Sequence, residues 1–247
     1  MLSAFFVYFF YVITMKQSFV PVPLPEERIS ALERAGGLVA LLGSASAATL
    51  LRWLRRKSAG RFLAAAASLT GLAGVFWVFR NPPRRIPAVE DAILAPCDGT
   101  VQTISIQQEE RFLHAPAQQV TIRINLGDVP LVRAPGQGAV QYRCLELVSP
   151  EQPTTVGESL WLGIRQPQGT RVLMQLTARA EWQLLPTWMA QPITALVDLE
   201  DAVGRGQVTA HLALGGVVRL YLPAGMRLAV APGDRVRGGE TVMGTRK

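Results

Sequence analysis

The hydrophobic pattern changes character once along the chain. Up to about residue 85 it consists of long uncharged runs: residues 1–15, 35–51 and 62–79, of 15, 17 and 18 residues. A helix that crosses a bilayer needs roughly 20 apolar residues, with a range of about 17–25. The second and third runs reach the lower bound and predict membrane helices. The first is too short, has no basic residue before it and no A-x-A site after it, so it is not a signal peptide. Pro21, Pro23 and Pro25 then break any helix. From Ile86 onward the helical period gives way to short β-rich stretches. These are VQTISI (101–106), VTIRINL (120–126), RVLMQLTA (171–178), VVRLYLP (217–223) and MRLAVA (226–231). Val120, Ile122 and Ile124 alternate with Thr121, Arg123 and Asn125, the period of a half-buried strand.

The pattern therefore divides the chain into an N-terminal membrane anchor, 1–85, and a mainly β domain, 86–247, with room for one short helix. Turn signals recur at Pro96–Gly99, Pro135–Gly138 and Pro232–Asp234. Two internal pairs suggest duplication. Residues 197–211 align without gaps to 230–244, matching Val197 with Val230, Asp201 with Asp234, Val203 with Val236 and Gly206 with Gly239. APCDGTV (95–101) and RAPGQGAV (133–140) form the second pair. Turns of this kind, with Gly at positive φ and Asp capping, suit a barrel-sandwich fold of duplicated β-hairpins.

Charge sharpens the division. The formal net charge is +7. Residues 1–85 carry 11 basic and 3 acidic residues, a net of +8, whereas 86–247 carry 14 and 15, a net of −1. The basic excess is a collar around the apolar runs: Arg52, Arg55, Arg56, Lys57 and Arg61, then Arg80, Arg84 and Arg85. Such a collar favours the cytoplasmic face and anionic headgroups, and the β domain is expected on that face; both flanks of the third run are basic, so the positive-inside rule does not decide the topology. The collar also argues against nucleic acid, because the β domain holds no basic patch interleaved with aromatics.

Composition removes several chemistries. Lys247 is the only lysine after Lys57, which excludes a lipoyl-type carrier, a P-loop and a Schiff-base lysine in the β domain. Two histidines, His114 and His211, and two cysteines, Cys97 and Cys144, make a zinc site improbable and a disulfide scaffold untenable. Ser159 is the last serine, and residues 160–247 contain neither Ser nor Cys.

Five blocks in order, FWVFRNPPRRIP (76–87), ILAPCDGTV (93–101), VTIRINLGDVPLVRAPGQGAV (120–140), LGGVVRLYLP (214–223) and GDRVRGGETV (233–242), resemble phosphatidylserine decarboxylase in its short, membrane-anchored form. The resemblance covers roughly residues 60–247 and is faint over 141–200. It implies a pyruvoyl enzyme. In that family a Gly-Ser bond cleaves itself: the Ser oxygen attacks the preceding carbonyl, and elimination leaves a pyruvoyl cap. The cap forms a Schiff base with the lipid amine and serves as electron sink for loss of CO2. A Ser-His-Asp arrangement assists.

Carried over by position, the family's Asp matches Asp98 in PCDG. Its His falls on Pro130 in DVPLVRAP, and its Gly-Ser falls on Gly215-Gly216. Gly216 has no side-chain oxygen, so no pyruvoyl cofactor is expected there, and Pro130 cannot accept a proton. Of the family's paired Arg, only Arg179 remains. Asp98 is then the one retained catalytic position, with a turn role as its simpler explanation. His211 and His114 read as structural or surface residues, and Cys97 as a small buried filler. The expectation is a membrane-anchored, non-catalytic relative that binds phospholipid, or that pairs with an active decarboxylase paralogue and regulates or scaffolds it. The alternatives are an active decarboxylase making phosphatidylethanolamine, and a membrane-tethered barrel-sandwich adaptor. The adaptor type carries a coiled-coil hairpin insertion, and no heptad run exists in 86–247.

Overall fold

The computed structural model describes residues 43–53, 55, 58–78, 80–89, 91–147, 158–178, 193–212 and 215–246. The apolar run 1–15 and the first half of the run 35–51 lie outside the described residues. The chain forms two compact units, Met1–Pro82 and Pro83–Lys247.

The first unit contains helix α1 (43–53) and helix α2 (Ala59–Val78). Their seam is polar. Ser46 Oγ donates to Ser68 O at 3.1 Å, and Thr49 Oγ1 meets Ser68 Oγ at 2.9 Å. Trp53 and Phe62 meet in a tilted arrangement near the connection, with ring centroids 5.7 Å apart and planes at 54°. Ser46 and Ala65 are buried, whereas Leu51, Phe62, Leu63 and Leu69 are 43 to 66% exposed. Among the described residues no helix is long and apolar enough to cross a membrane. The spanning helices expected over 35–51 and 62–79 are therefore not found among the described residues, which leave out 35–42 and Phe79.

The second unit is built of fourteen strands among the described residues. The longer ones are β2 (Gly99–Glu109), β3 (Ala115–Ile124), β5 (Gly138–Leu147), β6 (Glu158–Arg165), β7 (Arg171–Ala178) and β11 (Gly216–Pro223). With β9 (Ala202–Val203) and β13 (Arg235–Val236) they make one sheet in the order β13-β2-β3-β11-β7-β6-β5-β9. Two three-stranded sheets accompany it. One is β1 (Ala92–Leu94), β14 (Val242–Thr245) and β12 (Arg227–Leu228); the other is β4 (Leu131–Arg133), β10 (Val208–Leu212) and β8 (Ile193–Ala195). Alternation carries the large sheet: Val120, Ile122, Ile124, Leu160, Leu162, Met174, Leu176, Val218 and Leu220 are at most 1% exposed and form one core. The short helix expected in 86–247 is absent among the described residues.

The sheet order reads as a palindrome, and the contacts obey it. Val236 pairs with Gly99 as Val203 pairs with Gly138. Val101 N donates to Asp234 O at 2.9 Å, and Val140 N to Asp201 O at 3.0 Å. Asp234 Oδ2 caps Ala231 N at 2.8 Å, and Asp201 Oδ2 caps Asp198 N at 2.7 Å. Both halves carry the same irregularity, between Val101 and Thr103 in β2 and between Val140 and Tyr142 in β5. Side chains are excluded at matched points too. A Cβ on Gly99 would lie 2.3 Å from Arg123 O, and one on Gly138 would lie 2.2 Å from Arg165 O. The centre of symmetry falls between β7 and β11, which run antiparallel. In this relation the turn before β7, with Gly169 at φ +83, is the counterpart of the turn before β11, with Gly215 at φ +86.

Candidate functional site

Asp98 sits in the turn between β1 and β2, and its two oxygens are both used. Oδ2 accepts from Arg84 Nη2 at 2.8 Å, and Oδ1 accepts from Gly238 N at 2.8 Å. The Arg84 and Asp98 side chains are only 6% and 17% exposed. The segment carrying Arg84 is fixed at two further points. Arg85 N donates to Glu240 Oε1 at 3.0 Å. Ile86 reaches Gly206, where an added Cβ would meet Ile86 Cδ1 at 3.1 Å. Arg133 Nη1 donates to Gly206 O at 2.8 Å. Burial, and then the positive charge of Arg84, lower the Arg133 pKa to about 10 against the pull of Asp98 and Glu240. The sequence assigned Arg84 to a headgroup-facing collar. The structure turns it inward, where Asp98 neutralises it.

Cys97, next to Asp98, is fully buried. Its thiol pKa is raised well above the ordinary value, first by burial and then by the charges of Asp98 and Asp128. A thiol held neutral is a poor nucleophile, in keeping with its reading as a filler. Asp128 is itself 3% exposed and accepts from Arg235 Nη2 at 2.6 Å.

Pro130 and Gly216 are both in contact with Leu212. Pro130 is buried, and its carbonyl accepts from Leu212 N at 2.8 Å. Leu212 lies against Gly216, where an added Cβ would meet Leu212 Cδ2 at 2.9 Å and Thr177 O at 2.3 Å. Gly215 has φ +86, and a Cβ on it would lie 2.6 Å from Ile124 O. Gly216 pairs with Ile124 on one side and with Ala178 on the other. The dipeptide is thus clamped between two backbones, with no room for a side chain. Among the described residues no hydrogen bond joins Asp98 to Pro130, Gly215 or Gly216.

His211 pairs with Leu131 and Thr194 in the small sheet. Burial lowers its pKa to about 4, so its imidazole is neutral at pH 7 and a weak base. His114 is exposed in the turn after β2, at φ 53. Arg179 lies outside the described residues. No group of three or more His, Cys, Asp or Glu able to hold a metal ion occurs among the described residues.

Comparison with known proteins shows the family. A family model described as phosphatidylserine decarboxylase matches residues 72–244. A phosphatidylserine decarboxylase proenzyme of Symbiobacterium thermophilum is 35% identical over 186 residues, covering 72% of this chain and 82% of the relative. One from Saccharopolyspora erythraea is 31% identical over 232 residues, covering 90% of this chain and 91% of the relative. One from Carboxydothermus hydrogenoformans is 31% identical over 177 residues, covering 69% and 78%. No solved structure matches the chain. The chain belongs to the phosphatidylserine decarboxylase family.

Proposed function

We propose that this chain is a non-catalytic, membrane-associated member of the family. The observation that carries the proposal is Gly216. It stands where the resemblance puts the self-cleaving serine, and it offers no oxygen to attack the Gly215 carbonyl. Without that attack there is no ester, no elimination and no pyruvoyl group to act as electron sink. The surroundings support the same reading. Ile124 O closes on Gly215 and Thr177 O on Gly216, the family's His position is Pro130, and Asp98 is committed to Arg84 and Gly238. The retained framework then serves to bind phospholipid, or to pair with an active decarboxylase paralogue and regulate or scaffold it.

The helical unit supports membrane association. Its seam holds Ser46, Thr49 and Ser68, while Leu51, Phe62, Leu63 and Leu69 face outward. Small and polar residues inside with large apolar residues outside is the arrangement of helices in lipid. Arg55 and the basic residues around it would sit at headgroup level, with the β domain on the cytoplasmic face.

The test is to incubate the purified full chain with phosphatidylserine vesicles and measure phosphatidylethanolamine and CO2. The expected result is neither product, while the chain floats with the vesicles. Decarboxylation above that of a denatured control would refute the proposal.

A further inference from the structure

The β unit has a cavity of about 620 Å³ whose lining includes none of Asp98, Pro130, Gly215 and Gly216. It opens at the end of β11 marked by Pro223, and Gly216 lies at the other end of that strand. Eight residues of strand separate the two ends by roughly 23 Å. The volume falls within the range of about 300–1,000 Å³ typical of small-molecule sites.

Its charges are arranged by sign. Arg171 opens β7 and Arg246 follows β14, so two guanidiniums enter from different sheets. Asp91 lines the same cavity just before β1. The ladder that pairs Ala92 with Thr245 brings Asp91 and Arg246 side by side, yet no ion pair joins them among the described residues. Arg171 is held in place: its Nη1 donates to Phe112 O at 3.2 Å, and its guanidinium lies 5.7 Å from the Phe112 ring centroid. Gln166, 8% exposed, supplies a buried polar wall, and Met226 an apolar one.

Backbone strain gathers at the same place. Three described non-glycine residues have positive φ, and two of them border this cavity. Asp91 (φ 59) lines it, and His114 (φ 53) sits between the lining residues Leu113 and Ala115. Such conformations cluster at ligand sites, where surrounding structure holds a side chain in place at some cost. The cavity is also the symmetry counterpart of the family's cleavage site. Gly169 and Thr170, which line it, stand in one half of the sheet where Gly215 and Gly216 stand in the other.

We infer that this cavity binds a small zwitterion, a phosphoryl group held by Arg171 and Arg246 and an amine held by Asp91. Two guanidiniums suit a phosphoryl oxyanion by fork geometry, and a lone carboxylate beside them suits a cation. The ligand is either a free phosphoamine or the headgroup of a lipid. Its binding does not depend on whether the Gly215–Gly216 bond is ever cleaved.

The test is calorimetric titration of the full chain with O-phosphoethanolamine, inorganic phosphate and ethanolamine. The zwitterion should bind more tightly than either half. Asp91→Asn should weaken it roughly fivefold while leaving phosphate unchanged, and Arg246→Gln should weaken both. All three charged side chains are exposed, so these variants keep the fold. Competition by nanodiscs containing phosphatidylethanolamine would assign the site to a headgroup, and its absence to a free ligand, both in keeping with the inference. Lack of saturable binding at millimolar concentration, or equal binding of the zwitterion by Asp91→Asn, would overturn it.

Discussion

Replacing Asp98 by alanine separates a structural role from a catalytic one. In the structure this carboxylate neutralises Arg84, whose side chain is 6% exposed, and accepts the Gly238 N–H. Removing one partner of a buried pair costs about 3–5 kcal/mol, because the other charge is left uncompensated. The exposure of Asp98, 17%, lets water reach the site and moves the expectation to the lower end, about 3 kcal/mol. For a domain of this size 1 kcal/mol shifts Tm by about 2–4 °C, so Asp98→Ala should lower Tm by roughly 6–12 °C. Differential scanning calorimetry or urea unfolding followed by circular dichroism reads this directly. Asp198→Ala is the control. Its partner Arg143 and Asp198 itself are 36% and 39% exposed, and the loss should stay within about 1 kcal/mol. In the Arg84→Met background, Asp98→Ala should cost at least about 1.5 kcal/mol less, the coupling of a contacting pair. If Asp98→Ala melts with the wild type, Asp98 does not hold Arg84 in solution and the structural reading fails.

Three further outcomes follow from other parts of the molecule. Gly216→Ser should not restore self-cleavage, because its Cβ would press on Thr177 O at 2.3 Å. It should instead destabilise the domain by about 1–3 kcal/mol in a chemical denaturation series, and any cleaved product on a gel would contradict this. His211, with its pKa lowered to about 4 by burial, makes folding pH-dependent. The unfolded chain binds the proton near 6.5 and the folded chain near 4, so stability is full above pH 6.5 and declines as pH falls toward 4. The loss is about 2–3 kcal/mol, and His211→Gln should flatten this part of the profile. Finally, Phe62→Asp with Leu69→Asp should release the chain from vesicles in a flotation assay, and unchanged flotation would remove the outward apolar face as its cause.

Much of the β unit was legible because burial on one face imposes a period of two. RVLMQLTA predicts β7 with its observed ends, and VVRLYLP falls one residue inside β11. Strands β5 and β6 escaped, since GAVQYRCLEL and ESLWLGIR carry apolar residues on both faces. The sheet's second face has its own small core, in which Trp161 stacks on Tyr221 with centroids 6.0 Å apart. MRLAVA read as a full strand, but β12 spans only Arg227–Leu228, with Ala229 N adding one bond to Met243 O, before the chain turns through Pro232–Asp234. The turn repeats were visible as Val, Asp and Gly at a constant spacing, since the same caps and close approaches demand the same residues.

The site was legible in part. That Gly216 carries no side-chain oxygen and Pro130 no proton acceptor is visible in the sequence, because it is a matter of missing atoms. The partners of Asp98 are not visible, because Arg84 and Gly238 lie 14 and 140 residues away and meet only through the fold. The same distance effect hid the cavity at Asp91, Arg171 and Arg246. Charge counting placed Arg84 at a membrane surface. A count cannot tell a solvated arginine from one turned toward a buried carboxylate.

The central claim is that no self-cleavage occurs, and intact-mass spectrometry of the purified protein tests it most directly. The account predicts one chain near 26.8 kDa, unchanged by treatment with a carbonyl reagent. Two fragments, the C-terminal one carrying a reactive keto-acyl cap, would contradict it.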